Sequence, residues 1–170
     1  MWCKVIGSVL ISSASFMIGI WWSGTLKNRV EDIQELEKVL EQLLNEISFY
    51  SNVLQDAFLK IAKNTNKRIS GIITSMADNL KRYSANKAWA IAIGDNYKNT
   101  YLSGEDIDVL LSLGDLLGTS DIDGQIGNIK NVITRLSHQE SKAQDVRRKN
   151  ELLFRNLSIL LGMTIVILLL

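Results

Sequence analysis

LKNRVEDIQELEKVLEQLLNEISFY, residues Leu26–Tyr50, carries its apolar residues at Leu26, Val30, Ile33, Leu36, Leu40, Leu43, Ile47 and Tyr50. Steps of three and four place these on one face of an α-helix, a stripe about seven turns long that needs a partner. The spacing reaches Leu54, with a bend or break expected near Ser48–Asn52.

The same period recurs outward from this helix. Short helices are predicted over Val53–Lys63 and Arg68–Tyr83, separated by the turn and cap signal Asn64-Thr65-Asn66. Ile69, Ile72, Ile73, Met76 and Leu80 form the inward face of the second. Ala88–Tyr97 reads as a shorter helix with Trp89 as a core anchor. Ser103 caps a helix through Leu117, and Glu105 and Asp106 suit the positive end of its dipole. From Asp121 the helical pattern runs without proline through the Ile126, Ile129, Ile133 and Leu136 stripe to Arg155, polar on every face over Glu140–Glu151. The chain has no proline in 170 residues, where average usage would give about eight. With few alternating β-branched runs, it reads as all-α. The first and last of these helices are expected to pack antiparallel.

Two charge-free runs flank this body: VIGSVLISSASFMIGIWW (Val5–Trp22) and LSILLGMTIVILLL (Leu157–Leu170). All charged residues except Lys4 lie between Lys27 and Arg155. A membrane-spanning helix needs about 20 apolar residues. The first run meets that with its flanks and places Trp21 and Trp22 at the interface. The same tryptophans crowd the site a signal peptidase would need, so an uncleaved anchor is expected. The second run spans about 21 Å and lengthens if Arg155 snorkels; spanning is expected, with shallow insertion the alternative. The expected division is a membrane anchor over 5–22, a helical-bundle domain over 26–155 and a C-terminal membrane segment over 156–170. Lys27, Arg29, Arg147, Arg148, Lys149 and Arg155 adjoin the membrane on the domain side, which places the domain in the cytoplasm. Arg147, Arg148, Lys149 and Arg155 are candidate contacts to lipid headgroups.

Charge alternates along the domain. Lys27–Asp56 has three basic and seven acidic residues, Lys60–Lys98 eight and two, Glu105–Asp123 none and six, and Lys130–Arg155 seven and three. This fits complementary pairing inside a bundle, above all between the oppositely charged first and last helices. It also fits two opposed faces, one of which docks a charged partner. Asp108 and Asp115 favour the second reading: they lie beyond the helix start and, seven residues apart, share a face. They are the candidate docking residues for a basic partner. A near-neutral domain without aromatics interleaved among its basic residues argues against nucleic acid.

No catalytic constellation stands out, so the chain reads as non-enzymatic and without a cofactor or metal. His138 is the only histidine and lies in a polar stretch; no phosphate-binding loop, Gly-x-Gly-x-x-Gly or EF-hand spacing occurs. A single cysteine, Cys3, excludes an internal disulfide. Gly114, Gly118 and Asp121 mark a turn motif. Gly118 is the expected helix cap, and Gly114 the more tolerant of the two glycines.

LLSLGDLLGTSDIDGQIGNI (Leu110–Ile129) resembles the L-x-x-hydrophobic-G-x-x-L-G-x-x-D-x-x-x-Q pattern of the stage III sporulation protein AB family of endospore-forming bacteria. Leu110, Gly114, Leu117, Gly118, Asp121 and Gln125 fill the pattern. Ala88-Trp89 and the leucine-rich terminus also resemble that family, although this chain lacks the proline its members often have after the first helix. The resemblance implies a six-helix bundle similar to the cytoplasmic domains of the type II secretion and type IV pilus platform protein. It further implies a non-enzymatic role in the channel complex between mother cell and forespore. The domain would face the mother-cell cytoplasm from the outer forespore membrane and couple a secretion-type ATPase to other membrane proteins of the channel. Oligomerisation is left open. From the residues alone, a generic membrane-anchored scaffold or signalling adaptor is the alternative.

Overall fold

In the computed structural model, backbone is described for residues 2–50, 54–117 and 122–169, and side chains for 24–48, 54–117, 123–154, 156, 157 and 160. Among the described residues the fold has six α-helices, α1 Trp2–Tyr50, α2 Leu54–Ala62, α3 Lys67–Asn79, α4 Ala85–Asn96, α5 Gly104–Gly114 and α6 Ile122–Leu169, and a 3-10 turn at Tyr97–Asn99. No strand occurs among the described residues. Each helix packs on its neighbour in the chain, and α6 returns to lie along α1, closing the ring.

The apolar stripe of α1 does what its period demands. Val30, Ile33, Leu36, Val39, Leu40, Leu43 and Ile47 are all buried. Contacts to α1 from the next two helices run back along it: Lys60 pairs with Glu46, the Asn66 amide donates to Glu35, and Arg68 reaches Asp32. The α2–α3 segment therefore descends α1. Two contacts fix α5 and α6 as antiparallel neighbours, Arg135 to Ser112 and Lys142 to Glu105. Because Lys142 meets Glu105, next to the Asp106 that pairs with Arg29, while Glu140 meets Gln34, later positions on α6 face earlier positions on α1. That is the expected antiparallel sense. Among the described residues, burial begins at Val30 on α1 and ends at Ala143 on α6. Helical backbone continues beyond both points.

Among the described residues, no helix is long and apolar enough to cross a membrane. The side chains of 5–22, and most of those in 156–170, lie outside that set.

Helix ends follow local chemistry. Asn66 caps α3, its side-chain oxygen accepting from the Ile69 amide at 3.0 Å. Helix α3 stops at Asn79, earlier than its apolar period suggests, because the amides of Lys81, Arg82 and Tyr83 turn back onto Asp78 and Asn79. Helix α5 is likewise shorter than expected, ending at Gly114 rather than Leu117.

Trp89 is the centre of the core, fully buried on α4. It stacks against Phe58 of α2 with ring centroids 6.0 Å apart, and its indole N–H donates to the Leu110 carbonyl at 2.6 Å. A Cβ built on Gly114 would lie 2.9 Å from Trp89 Cδ1. This corrects the reading of Gly114 as a tolerant part of a turn: it is a helical residue whose missing side chain lets α5 close onto the indole. Gly118 and Asp121 lie outside the described residues.

The indole cannot retreat, because Phe58 and the Leu110 carbonyl hold it. Gly114→Ala should therefore destabilise the protein by about 1–3 kcal/mol, as overpacking does. Chemical denaturation of the full-length protein checks this; an unchanged midpoint would show that the indole yields freely.

Candidate functional site

The charged residues divide into those that hold the bundle together and those that remain for something else. Asp106 belongs to the first group, with a side chain 0% exposed. Arg29 of α1, 20% exposed, forks onto it with Nε to Oδ2 at 2.9 Å and Nη2 to Oδ1 at 3.0 Å. Asp106 also completes a capping box: the Ser103 amide donates to Asp106 Oδ2 at 2.8 Å, and the Asp106 amide to Ser103 Oγ. Burial pushes the Asp106 carboxyl up, but the hydrogen bonds from Arg29 and Ser103 outweigh it and hold the group below its ordinary value. Asp106 raises the Arg29 pKa in turn.

Asp32, one turn further along α1, is also fully buried. It accepts from Arg68 Nε at 2.6 Å and from the Tyr101 amide at 2.9 Å. The Arg68 guanidinium lies over the Tyr101 ring at 5.5 Å and also reaches Glu31. Adjacent positions on α1 thus fasten α3, the approach to α5, and α5 itself. The sequence reading gave Asp106 only a dipole role and missed Arg29, Asp32 and Arg68. One signal was present: Arg29 and Asp32 border the stripe positions Val30, Ile33 and Leu36, where a charge needs a partner.

These pairs show how the alternating charge is used. The acidic stretch of α1 meets the basic α2–α3 stretch, and α5 meets α6 through Glu105 and Lys142. The α1–α6 seam was expected to join opposite charges and instead brings carboxylates together. Glu140 accepts from Gln34 at 2.5 Å and Gln144 at 2.7 Å, and Glu37 Oε1 is buried without a partner. Burial, then the charges of Glu140 and Glu41, push Glu37 up to about 7.

Asp108 and Asp115 are the residues that remain. Both are exposed, Asp108 on α5 and Asp115 at the cap just past its last residue, and among the described residues neither forms an ion pair. Asp115 accepts only from the Asn86 amide group, at 2.9 Å. Asp108 stands on the rim of an apolar groove of about 320 Å³ between α4 and α5, floored by Ile93, Leu102 and Ile107.

On α6, Arg147 is half-buried and pairs with Glu151 at 2.8 Å, while Arg148 and Lys149 are exposed. The Arg155 side chain lies outside the described residues. Val146, Leu152, Leu153, Leu157 and Leu160 are exposed beside them. His138 is exposed, and the described residues contain no His, Cys, Asp and Glu group able to hold a metal.

Glu37 makes stability depend on pH with a definite sign. Its carboxyl holds a proton to about 7 in the folded chain, against 4.5 for the ordinary group. The folded state therefore binds more protons in that window, and stability falls as pH rises through it. Glu37→Gln should stabilise the protein clearly at pH 8 and little at pH 5, measured by denaturant midpoints. Equal effects at both pH values would show that Glu37 ionises as an ordinary carboxyl.

Comparison with known proteins agrees with this architecture. The model of the stage III sporulation protein AB family matches residues 4–170. The stage III sporulation protein AB of Bacillus subtilis (strain 168) is 28% identical over 168 residues, covering 98% of each chain. A solved structure of stage III sporulation protein AB superposes with a TM-score of 0.69 at 27% identity, covering 72% of this chain and 98% of that one. With a match running from Lys4 to the last residue and the same helical fold, the chain belongs to the stage III sporulation protein AB family.

Proposed function

We propose that this protein is a non-enzymatic platform component of the channel between mother cell and forespore. The bundle, 26–155, is held at the outer forespore membrane by the segments 5–22 and 156–170 and faces the mother-cell cytoplasm. There it couples a secretion-type ATPase to the other membrane proteins of the channel. Family membership supports the sporulation role. The charge-free terminal runs and the Lys/Arg excess beside them support the membrane placement. Exposed Arg148 and Lys149 suit anionic headgroups there, with Arg155 further along the same helix.

One observation carries the docking role. The buried acids Asp32, Glu46 and Asp106 are bound into the bundle, whereas Asp108 on α5 and Asp115 at its C-terminal cap lie exposed. An exposed carboxylate pair of this kind speeds encounter with a basic surface and orients it.

Asp108→Lys with Asp115→Lys should leave the fold intact, with a stability change under about 0.5 kcal/mol. It should slow association with the ATPase and flatten the salt dependence of the rate. Stopped-flow or biosensor kinetics at several salt concentrations check this. Unchanged kinetics would reduce the pair to a solvated face. Loss of the fold would mean that the carboxylates form internal pairs.

A further inference from the structure

The groove between α4 and α5 contains two glycines that the bundle does not require. Gly94 lies within α4 and Gly104 opens α5, and both line the groove. Neither has a positive φ, and a Cβ added at either would meet nothing within 4 Å. Gly114 differs, since the indole fills its space. A glycine inside a helix costs stability relative to alanine, and at Gly94 no neighbouring group among the described residues uses the room it leaves.

The groove is otherwise apolar. Tyr97, 40% exposed, and Leu111, 37% exposed, form its walls. No lysine or arginine lines it, and its only charged lining residue is Asp108. Asp115 lies seven residues on, at the cap of α5, while Glu105 at the other end of the helix is taken up by Lys142. Lys98 is drawn over the ring of the wall residue Tyr97, its ammonium 6.0 Å from the centroid.

We propose that this groove receives one helix of the ATPase: a short amphipathic helix with a large apolar side chain seated over Gly94, flanked by lysine or arginine facing Asp108 and Asp115. A trough between two packed helices suits a third helix, which anchors by side chains at i, i+3 and i+4. The volume of about 320 Å³ accommodates one or two such side chains. Asp108 on the rim, with exposed Asp115 beyond it, selects basic flanks. The proposal rests on the docking reading above and adds the chemistry of the docked element.

Two variants of the full-length protein in lipid nanodiscs test it. Gly94→Leu places a side chain in the groove without opposing the helix, so melting temperature should hold or rise. Affinity for the purified ATPase should fall at least about tenfold, the loss expected when one large apolar side chain is denied its pocket. If Gly94→Leu disturbs folding, Leu111→Ser, on the exposed wall, should give the same loss. A photo-crosslinking phenylalanine at Leu111 should capture a Lys/Arg-flanked amphipathic peptide of the ATPase. Wild-type affinity for a folded Gly94→Leu, or a crosslink to a second copy of this chain, overturns the groove proposal. If the Asp108 and Asp115 reversal still slows binding in that case, the docking reading survives alone. If the wild-type chain does not bind the ATPase at all, both fall.

Discussion

The arrangement of the bundle depends on two opposite charges a turn apart on one helix. Arg29 and Asp32 sit beside the apolar stripe of α1 and are largely or wholly removed from water. Burying such groups is costly unless each finds a close, hydrogen-bonded partner. Arg29 finds Asp106, and Asp32 finds Arg68 and the Tyr101 amide. Apolar side chains tolerate many arrangements, so the stripe alone would let α3 and α5 slide along α1. The charges do not, because a one-residue slip would strand both. They thereby fix where α5 starts, and with it which carboxylates of α5 face outward.

Trp89 provides the second fixed point. Phe58, the Leu110 carbonyl and the bare backbone at Gly114 surround the indole, so α2, α4 and α5 meet at one rigid group. With the ion pairs at one end of α5 and the indole near the other, the groove between α4 and α5 is held open by packed elements. A preformed groove loses little entropy when a partner enters it. The seam between α1 and α6 is built differently. There Glu37 lies next to like charge, so the join between the two longest helices responds to pH.

Much of the fold was legible in sequence because it rests on period and caps. The stripe from Val30 to Ile47, the inward isoleucines of α3, the Asn66 cap and the Ser103 cap are local signals, and the structure places them as read. Two kinds of feature were hidden. A capping-box aspartate and a buried, ion-paired aspartate look the same in sequence, because Arg29 is 77 residues from Asp106. Gly114 suggested either close approach or a turn, and only the position of Trp89 decides between them. For the candidate site, the shared face of Asp108 and Asp115 follows from their spacing, while their exposure is a matter of how the helices pack. The groove beside them was not readable, since it requires α4 and α5 side by side and glycines whose space stays empty.

A double-mutant cycle at Arg29 and Asp106 tests the central claim most directly. Arg29→Met removes the charge with little change in length, and Asp106→Asn keeps a side-chain oxygen for the cap. Each single change leaves a buried polar partner stranded and should cost about 3 kcal/mol. The double variant should cost less than their sum by about 2 kcal/mol, measured by denaturant unfolding of the full-length protein. Additivity within about 0.5 kcal/mol would contradict the claim, showing that the pair does not couple α1 to α5 and that apolar packing alone sets the arrangement.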